Sequence, residues 1–228
     1  MLHRVASGAS AFELELWQTA PCLVAPRAMA RLAGFRRACA ESASAGWPVH
    51  LRDTGGGLVP QGAGIANISF AYASRPRDKP SIKAAYQRLC APILRELRRL
   101  DLACGLGAVD GALCDGLYNV NVAGRKFAGT AQRWRRMSGG TGQIAVFAHA
   151  VLLIRPDTPA AVEAANRLYE GCGVGKRVRP EAHTALSEYA EPPGFADVFL
   201  GNLKSRFAAE LDALCWTNSA HGARHAVG

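Results

Sequence analysis

The segment Cys114–Gln132, CDGLYNVNVAGRKFAGTAQ, places a thiol, a lysine and several glycines close together in the chain. Apolar and polar residues alternate from Tyr118 to Val122, which is the period of a strand with one apolar and one polar face. The following Ala123-Gly124 predicts a tight turn. In the resulting hairpin Asn121 faces Lys126, Asn119 faces Ala128, and Phe127 points to the apolar side. The segment therefore predicts a hairpin that places Lys126 on a polar face, near Cys114.

Length and composition set broad limits on the protein. With 228 residues, 49% of them hydrophobic, the chain can bury one substantial core. We expect one domain over residues 1–228, with its core from about residue 12 to 214 and no C-terminal accessory domain. No apolar run is long enough for a signal peptide or a membrane span, so we expect a cytoplasmic protein without membrane contact. The seven cysteines form no CxxC pair and no metal-like spacing, which predicts reduced thiols and no metal site.

The formal net charge of +9 calls for a partner or for solvated basic surfaces. Arginines cluster at residues 95–99, within a helical pattern, and at residues 133–136, directly after the opening segment. Aromatic residues are few and no nucleic-acid-binding motif is present, so we expect no nucleic-acid partner. Docking of an acidic carrier protein accounts for the charge equally well.

Strand and helix patterns alternate along the chain, which predicts an α+β fold with one shared core. Strand patterns cover residues 12–16, 49–52, 65–72 and 143–154. Helical patterns cover residues 26–43, 80–100, 158–169 and 196–214. Asp157-Thr158-Pro159 is typical of a helix start. Residues 1–10 and the tail from residue 216 are expected to be loose.

Several residues in these segments are candidates for chemistry, and each has a structural alternative. Three glycines after Arg52, Gly55–Gly57, let a backbone approach a ligand with free N–H groups, although they also suit an ordinary turn. A Cys114 thiol near an ammonium has more thiolate character and can attack an activated acyl group, whereas most such cysteines are core residues. Lys126 could instead protect an edge strand from aggregation. His149 is either a hydrogen-bonded core residue or part of a site.

Four segments, taken in order, resemble the biotin/lipoate protein ligase and octanoyl or lipoyl transferase superfamily. They are RDTGGG at 52–57, NISF at 67–70, GRKFAGTAQ at 124–132, and His149 with Leu152. The resemblance covers about residues 12 to 190. It implies mixed, largely antiparallel sheets flanked by helices, and an acyl pocket whose lysine, Lys126 here, contacts the acyl carbonyl. The implied pocket residues are Arg52, Gly55, Gly56, Gly57, Ser69, Gly129, Ala131 and His149.

Two features of the resemblance distinguish transferases from ligases. The segment Cys114–Tyr118 is similar to the cysteine segment of single-domain, cysteine-dependent octanoyltransferases, and a chain of this length has no room for the accessory domain typical of ATP-dependent ligases. Both features imply acyl transfer without ATP. One departure is that Gln61-Gly62 stands where the superfamily has a His-Asp pair, which implies a different pocket mouth or acyl donor.

The resemblance thus implies a transferase that moves an octanoyl or lipoyl group from a carrier thioester, through Cys114, to a lysine of another protein. Lys126 would stabilise the thiolate and the oxyanion. Its partners would be an acyl carrier protein or a glycine-cleavage H-type protein, and the lipoyl domains of 2-oxoacid dehydrogenase complexes. No cofactor is expected for a transferase. One alternative is a lipoate-protein ligase that requires ATP and Mg²⁺ and forms a lipoyl-adenylate, and another is a non-catalytic lipoyl- or biotinyl-binding protein.

Overall fold

Two sheets organise the chain in the computed structural model, which describes residues 1–74, 80–114, 116–140, 142–189 and 192–222, with side chains to residue 213. The strands are β1 (Phe12–Trp17), β2 (Cys22–Pro26), β3 (Val49–Arg52), β4 (Val59–Gln61), β5 (Ile65–Ala73), β6 (Cys104–Leu106), β7 (Val120–Val122), β8 (Arg125–Arg136) and β9 (Ile144–Leu153). The larger sheet is antiparallel throughout, in the order β1-β5-β9-β8-β7-β6. The smaller sheet, β3-β2-β4, pairs β2 with β3 in parallel and with β4 antiparallel. The α+β prediction with largely antiparallel sheets is confirmed.

Five helices surround the sheets in the described residues. They are α1 (Leu2–Ala6), α2 (Phe35–Ser44), α3 (Ile82–Arg98), α4 (Thr158–Gly171) and α5 (Phe195–Gly222). The predicted start of α4 is confirmed at Thr158. The segment 157–159 also predicts a capping hydroxyl, but the cap is the Asp157 carboxylate, which accepts a hydrogen bond from the Ala160 N–H. Three local predictions are wrong. Residues 2–6 are helical rather than loose, α5 continues past residue 216 to Gly222, and the segment 26–43 contains the end of β2 and a 3₁₀ turn before α2.

The central sheet has two faces of different character. Alternate residues of β5 and β9 form the core face, where α3 and α5 pack. The main residues of this face are Ala66, Ile68, Phe70, Tyr72, Val146, Ala148, Ala150 and Leu152. The opposite face is turned toward the smaller sheet and toward the loop after β3. We call it the site face, and it carries Asn67, Ser69, Gly129, Ala131, Phe147, His149 and Val151.

The hairpin of β7 and β8 forms as predicted, with one correction. Ala123 and Gly124 form the turn with φ angles of +48° and +76°, a pair of positive values that suits a two-residue hairpin loop. Asn121 pairs with Lys126 as predicted, but Ala128 pairs with Val120 rather than with Asn119. The register shifts between Val120 and Asn121, and a bulge of this kind cannot be read from alternation alone. In addition, β8 is hydrogen-bonded on both sides, so Lys126 does not protect an edge strand.

No helix in the described part of the chain is both long and apolar enough to cross a lipid bilayer.

Candidate active site

A cavity of about 260 Å³ lies between the two sheets. Its volume falls just below the range of about 300–1,000 Å³ that is usual for pockets of drug-sized ligands, so it suits a small, slender ligand. The smaller sheet and the loop after β3 form one wall, and the site face forms the other. The lining consists of Trp17, Val24, Arg52, Thr54, Gly55, Val59, Gln61, Ser69, Cys114, Gly129, Thr130, Ala131, Phe147, His149 and Val151.

Cys114 lies against the glycine loop at the edge of this cavity. The Gly57 N–H donates a hydrogen bond to Cys114 Sγ over 3.1 Å. A Cβ atom on Gly56 would lie 2.6 Å from Sγ, and Gly56 has a φ angle of +104°, so only glycine suits this position. The loop that the sequence singled out therefore faces the thiol directly. The Gly57 N–H thus holds the sulfur at the edge of the cavity.

Arg52 fixes the shape of the glycine loop from within. Its guanidinium donates hydrogen bonds to the carbonyl oxygens of Gly55 over 3.1 Å and Gly57 over 2.6 Å. A third bond, of 2.8 Å, joins it to the Val24 carbonyl in the smaller sheet. Burial lowers the pKa of Arg52 from its usual value, while the nearby Cys114 and Tyr169 act in the opposite direction. Arginine keeps its proton in proteins, so a fixed positive charge lies beside the Cys114 segment.

Lys126 is buried next to Cys114, and its ammonium group is directed at backbone. Nζ donates hydrogen bonds to the carbonyl oxygens of Leu113 and Cys114, the second over 3.1 Å. A Cβ atom on Gly129 would lie 3.2 Å from Nζ, so the glycine makes room for the lysine. Within the described residues, Lys126 lines a separate small cavity of about 30 Å³ rather than the larger one. The structure thus brings the predicted lysine and cysteine together through the cysteine backbone.

Ser69, His149 and Ala131 lie opposite one another on three neighbouring strands, which explains how distant sequence positions reach the same cavity. Ser69 Oγ is 2.8 Å from His149 Nδ1 and accepts a hydrogen bond of 3.0 Å from Trp17 Nε1. The indole can only donate, so Ser69 Oγ accepts from Trp17 with one lone pair while it also contacts His149 Nδ1. Burial, with a smaller contribution from Arg52, lowers the pKa of His149 to about 4. A neutral histidine therefore forms this part of the wall.

Aromatic rings surround His149 on the site face. Its ring stacks on Trp17 with centroids 5.9 Å apart and on Phe147 with centroids 6.1 Å apart. The lining of this region is therefore mainly apolar, with Ser69 and His149 as its polar side chains. Such a surface suits a hydrocarbon chain with few polar atoms.

The departure at Gln61 is accommodated by a buried amide pair. Gln61 and Asn67 exchange two hydrogen bonds, of 3.0 Å and 2.7 Å. Both side chains are buried, so this reciprocal pairing satisfies groups that would otherwise be costly to desolvate. The side chain that replaces the expected histidine is thus part of a stable wall of the cavity.

Comparison with known proteins shows the family of this chain. Residues 1–208 match the family model for the lipoyl protein ligase A/B catalytic domain. The chain belongs to this family.

Members of the family with similar sequences include two curated proteins. An uncharacterized protein of Cupriavidus necator is 42% identical over 165 residues, which cover 68% of this chain. An octanoyl-GcvH:protein N-octanoyltransferase of Kyrpidia tusciae is 34% identical over 192 residues, which cover 82% of this chain. The matched regions span 65% of the length of each of these two relatives.

Solved structures of lipoate-protein ligases share the fold. Lipoate-protein ligase A bound with ATP superimposes with a TM-score of 0.67 at 16% identity, covering 92% of this chain and 76% of that one. The Thermoplasma acidophilum protein Ta0514 with bound lipoic acid gives a TM-score of 0.64 at 16% identity, covering 88% and 72%. At these identities the likeness concerns the fold alone.

Within this family fold, two residues near Cys114 were missed at the sequence level. The Tyr169 hydroxyl, from α4, accepts a hydrogen bond of 2.9 Å from the Leu58 N–H directly after the glycine loop. His183 Nε2 accepts a hydrogen bond of 3.0 Å from the Leu113 N–H. Tyr169 follows the helical pattern of α4, and His183 lies in a segment without periodicity, so neither position carries a local signal.

In the described ranges, no group of three or more His, Cys, Asp or Glu side chains is placed to hold a metal ion. Lys126 donates to the backbone carbonyls of Leu113 and Cys114.

Proposed function

We propose that this chain is an acyltransferase that carries an octanoyl or lipoyl group on Cys114 and passes it to a lysine of a lipoyl-domain or H-type protein. One observation carries the proposal. The Cys114 sulfur lies at the wall of a mainly apolar cavity and accepts the Gly57 N–H. A thiol that is preorganised in this way beside an acyl-sized cavity is the arrangement that covalent acyl transfer requires.

The first half of the reaction loads the cysteine. The Cys114 thiolate attacks the acyl carbonyl of the donor, and a C–S bond forms as the bond between the acyl carbon and the donor heteroatom breaks. The proton of the thiol is transferred to the leaving group. Backbone N–H groups of the glycine loop stabilise the oxyanion, and the buried Lys126 and Arg52 supply positive charge close to the Cys114 segment.

The second half releases the acyl group. The amine of the acceptor lysine attacks the Cys114 thioester, a C–N bond forms, and the C–S bond breaks. The proton lost by the amine returns to the sulfur, so the enzyme is regenerated without a cofactor. The apolar lining around Trp17 and Phe147 keeps the acyl chain buried during the exchange of partners.

The positive charge at the mouth of the cavity suits a protein partner with acidic residues. Arg133 lies 2.8 Å from Asp53 and Arg27 also pairs with this carboxylate. Two guanidinium groups on one carboxylate leave a net positive charge beside Thr54, which lines the cavity. The name of the Kyrpidia tusciae relative includes octanoyl-GcvH. We therefore propose an octanoylated H-type protein as the first donor to test, with an acyl carrier thioester as the second.

The location follows from the same proposal. Every cysteine whose state the structure describes, from Cys22 to Cys172, is a free thiol. A cysteine nucleophile and free thiols suit a reducing compartment, so we propose that the protein acts in the cytoplasm.

Trapping of the acyl-enzyme tests the function. The protein is incubated with an octanoylated H-type protein, with an octanoyl carrier thioester, or with octanoate, ATP and Mg²⁺, and then analysed by peptide mass spectrometry. We expect an octanoyl mass on Cys114 with a protein donor, and its loss together with all transfer in Cys114→Ala. Cys90→Ala is the matched control. Burial raises the pKa of the Cys90 thiol to about 12, so its removal should leave transfer intact.

Three results would contradict the proposal. Transfer that persists in Cys114→Ala would exclude the covalent step. Activity that depends on ATP, with release of pyrophosphate, would identify a ligase. Retention of an octanoyl compound without transfer to any acceptor would identify a binding protein.

A further inference from the structure

The backbone of Cys114 adopts an unusual conformation. Its φ angle is +51°, in the left-handed region that residues other than glycine rarely occupy. Such a conformation is energetically unfavourable and persists only where the surroundings impose it. The bonds that impose it are therefore part of the machinery that points the sulfur at Gly57.

Three side chains hold the backbone of Leu113 and Cys114. Lys126 donates to both carbonyl oxygens, and Asn119 Nδ2 donates to the Cys114 carbonyl over 2.9 Å. His183 completes the set from the other side, because its Nε2 accepts the Leu113 N–H over 3.0 Å. Lys126 and Asn119 bind carbonyl oxygens and therefore donate, whereas His183 binds an N–H group and must therefore accept.

Two backbone partners fix the tautomer of His183. The Leu113 N–H can only donate, so Nε2 must carry a lone pair. The Arg179 carbonyl, 3.0 Å from Nδ1, can only accept, so Nδ1 must carry the proton. Burial and the nearby Lys126 ammonium lower the pKa of His183 to about 4. The ring is therefore neutral near pH 7 and presents the acceptor that Leu113 requires.

We propose that His183 is a positioning residue for the Cys114 nucleophile, which its Nε2 holds in place through the Leu113 N–H. The inference rests on the proposed function, because it requires Cys114 to be the nucleophile. His183 contacts neither sulfur nor the larger cavity in the described structure, so it acts through the backbone. Without its acceptor the Leu113–Cys114 turn relaxes, and the sulfur leaves the Gly57 N–H.

Two amide substitutions distinguish the contributions of the two ring nitrogen atoms of His183. In His183→Gln the amide reaches the place of Nε2 and keeps an acceptor for the Leu113 N–H. In His183→Asn the shorter amide reaches only the place of Nδ1 and keeps the bond to the Arg179 carbonyl. Both variants change the ring to an amide, so a merely structural role would affect them alike.

The rate of Cys114 alkylation by iodoacetamide is measured from pH 5 to 10 in each variant, with Cys39 as an internal reference thiol. We expect His183→Gln to keep the midpoint of the pH profile and its octanoyl transfer rate within about threefold. We expect His183→Asn to shift that midpoint upward by about half a pH unit or more, and to lower kcat by about 10- to 100-fold at unchanged KM. Thermal unfolding confirms that each variant is folded.

Two results would overturn the inference. The first is that His183→Gln and His183→Asn have equal pH profiles and equal transfer rates. This result counts against the inference once Cys114→Ala has been shown to abolish transfer. The other is exchange of the Leu113 amide hydrogen at the rate of an exposed amide in the wild-type protein, measured by NMR. If His183→Asn does not fold, His183→Met takes its place, because it fills the site without a strong acceptor. Transfer that survives in Cys114→Ala would instead refute the proposed function itself.

Discussion

The two faces of the central sheet are built from the same strands but differ in how they use side-chain volume. On the core face, Ile68, Phe70 and Leu152 are completely buried against helices. On the site face, Ala131 is small and borders the cavity, and Gly129 leaves room for the Lys126 side chain. We therefore expect stability to depend mainly on the core face and the proposed activity mainly on the site face. Neighbouring residues of one strand should respond to mutation in different ways.

Adjacent residues Phe70 and Ser69 test this separation most strongly. Phe70→Ala removes a buried ring that packs on Phe207 at a centroid distance of 5.3 Å, and we expect a loss of about 3–5 kcal/mol in the free energy of unfolding. Ser69→Ala leaves Trp17 Nε1 and His149 Nδ1 without their partner, and we expect a loss of about 1–2 kcal/mol. Chemical denaturation measures both.

Activity should follow the opposite order in these two variants. At a temperature where both are folded, we expect octanoyl transfer to fall more in Ser69→Ala than in Phe70→Ala. A larger loss of stability in Ser69→Ala than in Phe70→Ala would contradict the division between the faces.

Two alanines that differ only in their face sharpen the comparison. Ala148→Leu inserts three carbon atoms into the packed core face, and we expect overpacking to lower the free energy of unfolding by about 1–3 kcal/mol. Ala131→Leu projects into the cavity and should change stability by less than about 1 kcal/mol.

The Ala131→Leu substitution should also reduce the length of the acyl chain that the cavity accepts. We expect octanoyl transfer to fall by about tenfold or more in Ala131→Leu, with butanoyl transfer reduced less, when rates are measured at equal donor concentrations. Equal losses for both chain lengths would show that Ala131 does not face the acyl chain.

Two histidines that lie outside the core face, His149 and His183, should make the stability of the protein depend on pH. The pKa values of His149 and His183 are both about 4, below the usual value of 6.5. As pH falls from about 6.5 to about 4, the unfolded chain binds protons that the folded chain does not bind. The free energy of unfolding therefore falls in this window, by up to about 1.4 kcal/mol per pH unit for each histidine.

Chemical denaturation of His183→Gln at pH 7, 6 and 5 measures the contribution of His183 to the pH dependence of the free energy of unfolding. We expect its stability to vary less with pH than that of the wild-type protein, by up to about 1.4 kcal/mol between pH 6 and pH 5. His50→Gln, at an exposed histidine, is the control and should keep the wild-type slope. An unchanged slope in His183→Gln would show that this histidine is protonated in the folded protein as easily as in the unfolded chain.

The smallest expected effect concerns a single hydroxyl group. Tyr169→Phe removes the acceptor of the Leu58 N–H, which should cost about 1 kcal/mol of stability and loosen the glycine loop that donates to Cys114 Sγ. We expect a few-fold slower alkylation of Cys114 at pH 7. Tyr72→Phe, on the core face, is the matched control and should leave the alkylation rate unchanged. Identical alkylation rates in both variants would show that the Tyr169 hydroxyl does not hold the glycine loop in place.

The sequence by itself determined where most of the longer strands and helices lie and which of their faces are apolar. Period-2 alternation identified the long strands, three- and four-residue spacing identified α3, and Ala123-Gly124 identified the turn, because each is a local consequence of backbone geometry. The resemblance carried by the segments 52–57, 67–70 and 124–132 was sufficient to predict the family. Short pieces such as β4 and β6 were missed, since three residues carry too little pattern.

Only the tertiary structure decided what each candidate residue contacts. The bulge beside Asn121 altered the register, and the direction of the Lys126 ammonium toward two carbonyls could not follow from its position in a strand. Tyr169 and His183 reach the Cys114 segment from more than fifty residues away in the chain. Such contacts depend on how helices and loops pack across the sheet, and packing is a property of the whole chain rather than of any local segment.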